Sequence, residues 1–410
     1  MKTDFKSDFP FFTTPENQGI IFLDSAATAQ KPLVVLNALN AFCEEINANV
    51  HRGVYLVSQK ATDAFEEARR ISAQFLGAEN EKCIVFNSGT TMGINTIAYG
   101  WARYEVPPKG KKVLVSQMEH HANIVSWQVA GLETKAIGMN ENGTINLDDL
   151  EKKLQSGEFG LVSVCHVSNV LGTLNPVKQI SEIAHKYHVP VLIDGAQAAP
   201  HLPVNVTDIG CDFYAMSGHK ALGPWGTGVL YINPSRHSEM RPFFGGGDMI
   251  TNVTMSGSEF KQVPYLLESG TQNVGGAVAL AKAFEYMDEI GRENIEIYVN
   301  SLGAHAWNLL SEIPGLRLLG PKPGANRSSS LVSFTFEYDD APHWIDNDAV
   351  ASALDSKDIC VRHGRFCAQP TVKWARLMPN GAVRASFHIY NTFEDVERLA
   401  AVITRIEQTM

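Results

Sequence analysis

The stretch VKQISEIAHKYHVPVLIDG, residues 177–195, joins a helix pattern directly to a strand pattern. Its first half places apolar side chains at helical spacing, at Ile180, Ile183, Ala184 and Tyr187. Its second half is a short apolar run that ends at Asp194. Similar runs occur earlier in the chain, at residues 82–86, 111–116 and 161–167. This repetition of strand, helix and strand predicts an α/β fold with a mostly parallel sheet and helices on both faces.

Residues that directly follow the strands are the candidates for chemistry, because such sheets bind ligands beyond the carboxyl ends of their strands. Asp194 ends one strand, and Lys220 follows within MSGHKALGPWGTG (216–228). Pyridoxal phosphate needs a carboxylate against its pyridine nitrogen and a lysine that holds its aldehyde. Alone, Asp194 would be a helix N-cap and Lys220 a solvated side chain. With Ser217 and His219 beside the lysine, the sequence favours this cofactor.

A second stretch of this kind is FNSGTTMGIN (86–95), in which Gly89, Thr90 and Thr91 open a predicted helix. The N-terminus of a helix attracts anions, so we expect it to bind the cofactor phosphate. Without Asp194 the signal would be weak, because such residues usually only cap a helix.

The third stretch is SQMEHHANIVSW (116–127), with two adjacent histidines after a predicted strand. Neighbours in the chain seldom reach one metal ion, and no third ligand is evident. We therefore expect His120 to stack on the pyridine ring, His121 to be structural, and no metal site.

Cys367 lies in VRHGRFCAQP (361–370), with three cationic side chains close in sequence, Arg362, His363 and Arg365. Positive neighbours favour the thiolate, which is the reactive form of cysteine. We predict that Cys367 is a nucleophile rather than an incidental exposed thiol. The other cysteines fall mostly in apolar strands or helices and are predicted to be inert: Cys43, Cys83, Cys165, Cys211 and Cys360.

The length of 410 residues predicts one large domain and a smaller one. The pattern changes near residue 296, where strands begin to mix with helices. We predict a large cofactor-binding domain over residues 20–295 and a small α+β domain formed by residues 1–19 and 296–410. The small domain would carry Cys367 in an irregular loop over 360–382 and a last helix capped by Thr392.

The overall composition restricts the class of protein. A formal net charge of -10 argues against a nucleic-acid binder, which usually shows a basic face. The N-terminal residues lack the apolar region of a signal peptide, and no apolar run approaches the length of a membrane span. The scattered cysteines indicate neither a disulfide framework nor a zinc site. We expect a cytoplasmic protein with reduced thiols.

The chain resembles the cysteine desulfurases of the SufS/CsdA-like type, within the class V aminotransferase group of fold-type I pyridoxal phosphate enzymes. The resemblance covers nearly the whole chain and rests on long collinear motifs: LDSAATAQKP (23–32), NVHRGVYLVS (49–58), NSGTTMGIN (87–95), SQMEHHANIVSWQ (116–128), HVSNVLGTLNP (166–176), LIDGAQA (192–198), CDFYAMSGHKALGPWGTGVLY (211–231), LESGTQNVGG (267–276) and RASFHIYNT (384–392). It implies conversion of L-cysteine to L-alanine, with the sulfur held as a persulfide on Cys367 for iron–sulfur cluster assembly or another sulfur pathway.

The resemblance also implies the role of each site residue. Lys220 would form the Schiff base, Asp194 would contact the ring nitrogen and Gln197 the ring oxygen, and His120 would stack on the ring. The phosphate would be held by Thr90, Thr91, Ser217 and His219, and by Thr271 from the other subunit of a homodimer. Asn169 and Arg384 would hold the substrate, with His51 and Arg362 lining the same pocket. A small acceptor protein of the SufE/SufU type would take the sulfur.

The chain departs from the family pattern at two positions. Phe366 precedes Cys367 where family members often carry a histidine, and this bears on the acid–base behaviour of the loop and on its sulfur acceptor. Ser25 gives LDSAAT where the family has LDNAAT. The segment 245–271 resembles the hairpin typical of this subgroup, and the loop around Cys367 is correspondingly short.

Three alternatives stay open at this point. A selenocysteine lyase would share every cofactor residue. An aminotransferase or epimerase of the same fold would not need a cysteine at position 367. A non-catalytic scaffold that uses the loop only for docking would need neither Lys220 nor Asp194.

Overall fold

A seven-stranded sheet forms the centre of the fold in a computed structural model, which describes residues 5–106, 111–337 and 346–409. Its strands, in spatial order, are β2 (Ile84–Asn87), β8 (Gly228–Ile232), β7 (Phe213–Ser217), β6 (Val191–Asp194), β5 (Phe159–Cys165), β3 (Lys112–Ser116) and β4 (Thr134–Ile137). β8 is antiparallel to both of its neighbours, and every other pairing is parallel. The predicted α/β fold with a mostly parallel sheet is confirmed.

Helices cover both faces of this sheet. Successive residues of a strand point to opposite faces, and in β2 they enter different buried clusters. Ile84 and Phe86 pack with Phe65 on one face, whereas Val85 packs with Trp101 on the other. The helices are α1 (Leu33–Glu45), α2 (Leu56–Leu76), α3 (Thr90–Ile97), α4 (Arg103–Glu105), α5 (Ala122–Val129), α6 (Leu147–Gln155), α7 (Val177–Lys186), α8 (Val206–Ile209), α9 (Val274–Ile290), α10 (Arg292–Ser311), α11 (Asn347–Asp355), α12 (Gln369–Trp374) and α13 (Phe393–Thr409). Across the described ranges, every helix is too short or too polar to span a lipid bilayer.

A second, four-stranded antiparallel sheet lies in the C-terminal part of the chain. Its strands, in spatial order, are β11 (Leu316–Leu318), β12 (Leu331–Phe336), β15 (Ala382–Ser386) and β14 (Arg362–Gly364). Two short pairs complete the strand set: β1 (Ile21–Phe22) with β13 (Ile359–Cys360), and the hairpin β9 (Ile250–Thr254) with β10 (Gly257–Phe260). The hairpin falls within the predicted segment 245–271.

The prediction of an irregular loop over residues 360–382 is wrong in part. The segment contains β14 and α12, so the irregular stretch around Cys367 is limited to residues 365–368, and a second one follows α12 at residues 375–381. The glycine and the charges in this segment gave no strand pattern in the sequence. The three-residue strand β14 forms because it pairs with β15. The nucleophile candidate therefore lies on a short connection between two anchored elements.

The N-terminal arm contacts elements from both predicted domains. The ring of Phe9 lies 4.9 Å from that of Tyr390, and the hydroxyl of Tyr286 donates to Asp8 at 2.8 Å. The domain boundaries themselves stay a prediction, and residues 1–4, 338–345 and 410 of the predicted small domain lie outside the described residues. The predicted cap at Thr392 is present, because its hydroxyl accepts from the amide of Asp395 at 3.1 Å.

Candidate active site

One pocket collects all the predicted site residues except His51 and Thr271. It opens beyond the carboxyl ends of β5, β6 and β7, where an α/β sheet is expected to bind ligands. Its walls are formed by Ala26, Ala27, Thr90, Thr91, His120, Ala122, Cys165, Val167, Asn169, Asp194, Ala196, Gln197, Ser217, His219, Lys220, Arg362, Phe366, Cys367 and Arg384.

The charges of Lys220 and Asp194 attract each other within this pocket. Burial lowers the pKa of Lys220 from 10.5 to about 8, although the carboxylate of Asp194 opposes the shift. Burial also raises the pKa of Asp194, against a hydrogen bond from the amide of Ala196 at 2.9 Å. The lowered pKa leaves more of this amine unprotonated at neutral pH than of an ordinary lysine, and the unprotonated form is the one that can bond to a carbonyl.

A tight turn fixes the backbone of Lys220. The lysine lies in a single 3-10 turn, Gly218–Lys220, directly after β7. The amide of Gly218 donates to the carbonyl of Thr227 at 2.9 Å, and a Cβ on Gly218 would lie 2.9 Å from that same oxygen. The glycine-rich segment GPWGTG therefore closes against the strand end and sets the direction of the lysine.

The start of α3 and the end of β7 form a polar corner of the pocket. The amide and hydroxyl of Thr90 lie 2.9 and 2.8 Å from the hydroxyl of Ser217. Gly89 has a φ of +130°, which lets the chain turn sharply from β2 into α3. Nδ1 of His219 is buried and has no hydrogen-bond partner among the described residues. A helix N-terminus, two hydroxyls and an unpartnered imidazole together suit a phosphate.

His120 presents a neutral ring to the pocket. Burial and the nearby charge of Lys220 lower the pKa of His120 to about 4, so the ring is uncharged at neutral pH. Its Nδ1 accepts from the amide of Ala122 at 3.1 Å, which fixes the ring's orientation. A flat, neutral and oriented ring is suited to stacking.

His121 anchors the loop that carries Cys367. Its amide donates to the carbonyl of Cys367 at 2.7 Å, and its Nε2 accepts from the amide of Gln369 at 3.2 Å. The side-chain amide of Asn169 donates to the carbonyl of Phe366 at 2.8 Å. Phe366 and Cys367 both have positive φ, of +51° and +53°, a conformation that persists because these contacts hold it.

Cys367 differs from most of the other cysteines in its exposure. Cys367 is exposed and lines the pocket, so its thiol faces both the site and the solvent. The expectation that the others are inert core fits three of them, which are buried and have raised pKa values through burial: Cys83, Cys165 and Cys211. Cys360 is half-buried, and Cys43 is exposed on α1, so the expectation of a buried position was wrong for Cys43.

Two arginines lie at the substrate end of the pocket. Arg384 donates to the carbonyl of Asn169 at 2.9 Å and to the carboxylate of Asp24 at 3.2 Å. Burial lowers the pKa of Arg384 to about 10. Arg362 lies 3.7 Å from the other oxygen of Asp24. Gln197 lines the same pocket, and its amide donates to the carbonyl of Ala26 at 2.8 Å.

His51 and Thr271 lie outside the pocket of their own chain. His51 bridges Glu66 at 2.8 Å and Asp248 at 3.1 Å, and these carboxylates raise its pKa. Thr271 is exposed. Within one chain the structure therefore does not bring His51 to the predicted substrate residues, and the role of Thr271 across a subunit interface stays a prediction.

Three residues near the pocket were missed by sequence reasoning. Asp24 joins the two arginines, and Lys31 donates to the carbonyls of Ala29 and His219. Glu119 accepts from Asn123 at 2.6 Å and from the amide of Cys165 at 3.0 Å, and burial raises its pKa to about 7. All three lie inside motifs that were quoted above, so the available signal was their position beside other site residues.

The pocket's residues fit pyridoxal phosphate. The polar corner at the start of α3 offers donors that suit a phosphate, and Lys220 offers an amine of lowered pKa that suits an aldehyde. Oδ1 of Asp194 accepts one hydrogen bond, from Ala196, and this buried carboxylate is suited to a protonated pyridine nitrogen. In the part of the chain that the structure describes, no group of three or more His, Cys, Asp and Glu residues could hold a metal ion.

Comparisons with known proteins give a consistent result over the whole chain. The aminotransferase class-V family model matches residues 21–399. A protein named probable cysteine desulfurase from Halalkalibacterium halodurans is 40% identical over 410 residues, which cover 99% of this chain and 98% of that protein. The solved apo structure of a cysteine desulfurase from Thermococcus onnurineus NA1 matches with a TM-score of 0.90 and 35% identity, over 99% of this chain and 98% of that one. The structure of the Escherichia coli cysteine desulfurase CsdA, in an S-sulfonic acid form, matches with a TM-score of 0.88 and 34% identity over the same shares.

Proposed function

The chain belongs to the aminotransferase class-V family, and we propose that it is a cysteine desulfurase whose reaction takes place in the pocket around Lys220. One observation carries the proposal: an exposed cysteine, Cys367, lines the same pocket as the buried Asp194 and the lysine of lowered pKa. The relatives are named cysteine desulfurases, and nothing in them favours a selenocysteine lyase, an aminotransferase or an epimerase.

The cofactor that the family implies is pyridoxal phosphate, which when bound supplies an electron sink for negative charge at the α-carbon of an amino acid. Lys220 would hold it covalently, and Asp194 would pair with its ring nitrogen. The phosphate would lie against Thr90, Ser217 and His219, which line the same pocket.

Lys220 then moves protons. Its Nζ amine would take the α-proton of the bound substrate and would later return a proton. Its pKa of about 8 lies close to neutral pH, which is the range in which one group both accepts and donates efficiently. The tight turn at Gly218 keeps the amine within the pocket during both steps.

The substrate carboxylate binds to Arg384, assisted by Arg362. The guanidinium of Arg384 is held by the carbonyl of Asn169, and the side chain of Asn169 in turn holds the carbonyl of Phe366. The residue that binds the carboxylate and the loop that carries the nucleophile therefore share one anchor. This arrangement fixes the distance between the bound amino acid and Cys367.

Cys367 takes the sulfur. Its thiolate attacks the sulfur of the bound cysteine, a new S–S bond forms, and the bond between that sulfur and the β-carbon breaks. The electron pair of the broken bond stays with the substrate carbon framework, whose β-carbon takes a proton. The products are L-alanine and a persulfide on Cys367.

Two parts of the assembly support turnover. A second copy of the chain would bring Thr271 to the phosphate and complete the site, so we propose a homodimer.

The exposure of Cys367 lets a small acceptor protein of the SufE/SufU type reach the persulfide directly, and the short segment 365–368 explains why the acceptor must come to the pocket.

Product analysis with L-cysteine tests the proposed function. The purified, cofactor-loaded protein should form L-alanine and protein-bound persulfide in equal amounts before any acceptor is added. Formation of a keto acid or of D-cysteine in place of alanine would instead identify an aminotransferase or an epimerase.

A further inference from the structure

We propose that Lys31 is a positioning residue that holds the turn carrying Lys220. It would act through the backbone of His219 and the ring of Trp225, and so set the direction from which the Lys220 amine reaches the cofactor. This inference deepens the proposed function, because it assumes that Lys220 holds pyridoxal phosphate. It also gives a role to the end of the motif LDSAATAQKP (23–32).

The peptide bond before Lys220 is held by residues outside its own turn. The carbonyl of Gly218 accepts from two amides of the turn itself, each at 2.9 Å. The carbonyl of His219, by contrast, accepts from three donors of the N-terminal segment: the amide of Ala29 at 3.0 Å, Oγ1 of Thr28 at 3.3 Å and Nζ of Lys31 at 3.1 Å. A carbonyl oxygen has two lone pairs, so three converging donors fix the plane of this peptide firmly.

Lys31 also joins this peptide to the middle of the glycine-rich segment GPWGTG (223–228). Its Nζ lies 4.5 Å from the centre of the Trp225 ring, which is within cation–π distance. The same Nζ donates to the carbonyl of Ala29. One ammonium group thus contacts the chain directly before Lys220, at His219, and again five residues after it.

The position of Lys31 is costly for the fold. The side chain is only 6% exposed, and no carboxylate pairs with it among the residues that the structure describes. A buried ammonium without a counter-ion destabilises a protein. Lys31 does not line the pocket, whereas His219 and Lys220 do. A costly residue that contacts the backbone of a site is expected where that backbone matters for function.

The expected effect of removing Lys31 is on the direction of the Lys220 amine. A misplacement of about 1 Å can slow a bond-forming step about 100-fold. Lys31→Met leaves the donors from Ala29 and Thr28 in place, so the turn should form but be held less firmly. The hydrogen bonds between Thr90 and Ser217, where the phosphate would lie, are not touched by this change.

The rate at which the cofactor-free protein captures pyridoxal phosphate tests the proposal. The visible absorption of covalently bound cofactor is followed at several cofactor concentrations, at a pH just below the pKa of Lys31, which is about 7. The limiting rate constant reports formation of the bond to Lys220, and the half-saturating concentration reports the binding that precedes it. Lys31→Met should lower the limiting rate constant about tenfold and leave the half-saturating concentration unchanged. Lys60→Met, which removes an exposed lysine, should change neither.

A matched pair of variants tests the contact with the ring. Trp225 is 65% exposed, so it can be replaced without leaving a cavity. Trp225→Leu removes the aromatic face and should lower the limiting rate constant about threefold, the scale of an exposed cation–π contact. Trp225→Phe keeps an aromatic face and should recover most of that rate.

An unchanged limiting rate constant in Lys31→Met would overturn the proposal. A parallel loss in both constants would overturn it as well, because it would show that Lys31 supports the pocket as a whole. If Lys31→Met does not fold, the Trp225 pair decides, and equal rates for the leucine and phenylalanine variants would refute the role of Lys31. A wild type that gains no visible absorption would instead refute the proposed function, so the two failures are distinct.

Discussion

Replacing Lys31 by methionine should remove a pH dependence from the stability of the protein. Lys31 is buried with 6% exposure, donates to the carbonyls of Ala29 and His219, and has no carboxylate partner among the described residues. Burial lowers its pKa from 10.5 to about 7. The unfolded chain therefore binds more protons than the folded one between about pH 7 and about pH 10.5, and stability rises with pH across that window.

The size of this effect follows from the shift. Each pH unit within the window adds at most about 1.4 kcal/mol to the free energy of unfolding. Near the lower limit the folded lysine still holds part of its proton, so the gain from about pH 7 to about pH 9 is about 2 kcal/mol. Urea-induced unfolding of the cofactor-free protein at several pH values measures it. Lys31→Met should lack this gain, whereas Lys60→Met, which removes an exposed lysine, should keep it.

Parallel stability curves for wild type and Lys31→Met would refute the reasoning, because they would show that Lys31 has an ordinary pKa in the folded state. The comparison cancels the titration of Lys220, whose pKa is also lowered by burial and which both proteins retain.

The remaining predictions concern the reaction. Lys220→Ala should abolish the visible absorption of covalently bound cofactor, and a yellow variant whose borohydride-trapped cofactor maps to another lysine would contradict the assignment. Cys367→Ala should nearly eliminate alanine formation from L-cysteine but keep much of the alanine formation from L-selenocysteine. A thiol, with a free pKa of about 8.5, is a poor leaving group unless a nucleophile attacks its sulfur. A selenol ionises more easily and can leave without one. Equal and total loss on both substrates would mean that Cys367 holds the site together structurally. Turnover of L-cysteine should rise when a strong reductant or an acceptor protein is added, since the persulfide blocks the next cycle, and an unchanged rate would show that its discharge is not limiting.

The parts of the site that local sequence could predict are those built from single segments. Asp194 ends a buried strand, and Thr90 and Lys220 each belong to a short motif beside a strand end. The α/β rule then brings these ends together, because parallel strands of one sheet place their carboxyl ends at one edge. The pocket around Lys220 and Asp194 could therefore be predicted from the sequence alone.

Residues whose role depends on pairing between distant segments could not be predicted in this way. Nothing near Asp24 in the sequence indicates two arginines more than 300 positions away. Their meeting requires that β14 and β15 pair in a register that places Arg362 opposite Arg384, and that Leu23 and Ala26 bind the end of β15. His51 is a second example, because within one chain it contacts Glu66 and Asp248, and its predicted place in the pocket of an assembled dimer stays a prediction.

The two halves of the proposed reaction come from different parts of the chain, and this explains why their joint geometry needed the fold. Lys220 and Asp194 lie on the large sheet, whereas Arg384 and Cys367 belong to the strands and the short loop of the small sheet. Hydrogen bonds cross between them: the side-chain amide of Asn169 donates to the carbonyl of Phe366, and the amide of His121 donates to the carbonyl of Cys367. The distance from the cofactor lysine to the nucleophile is thus set by these crossing hydrogen bonds. A substitution that breaks one of them without touching a reacting atom, such as Asn169→Ala, should lower the rate of persulfide formation while leaving the absorption of covalently bound cofactor unchanged.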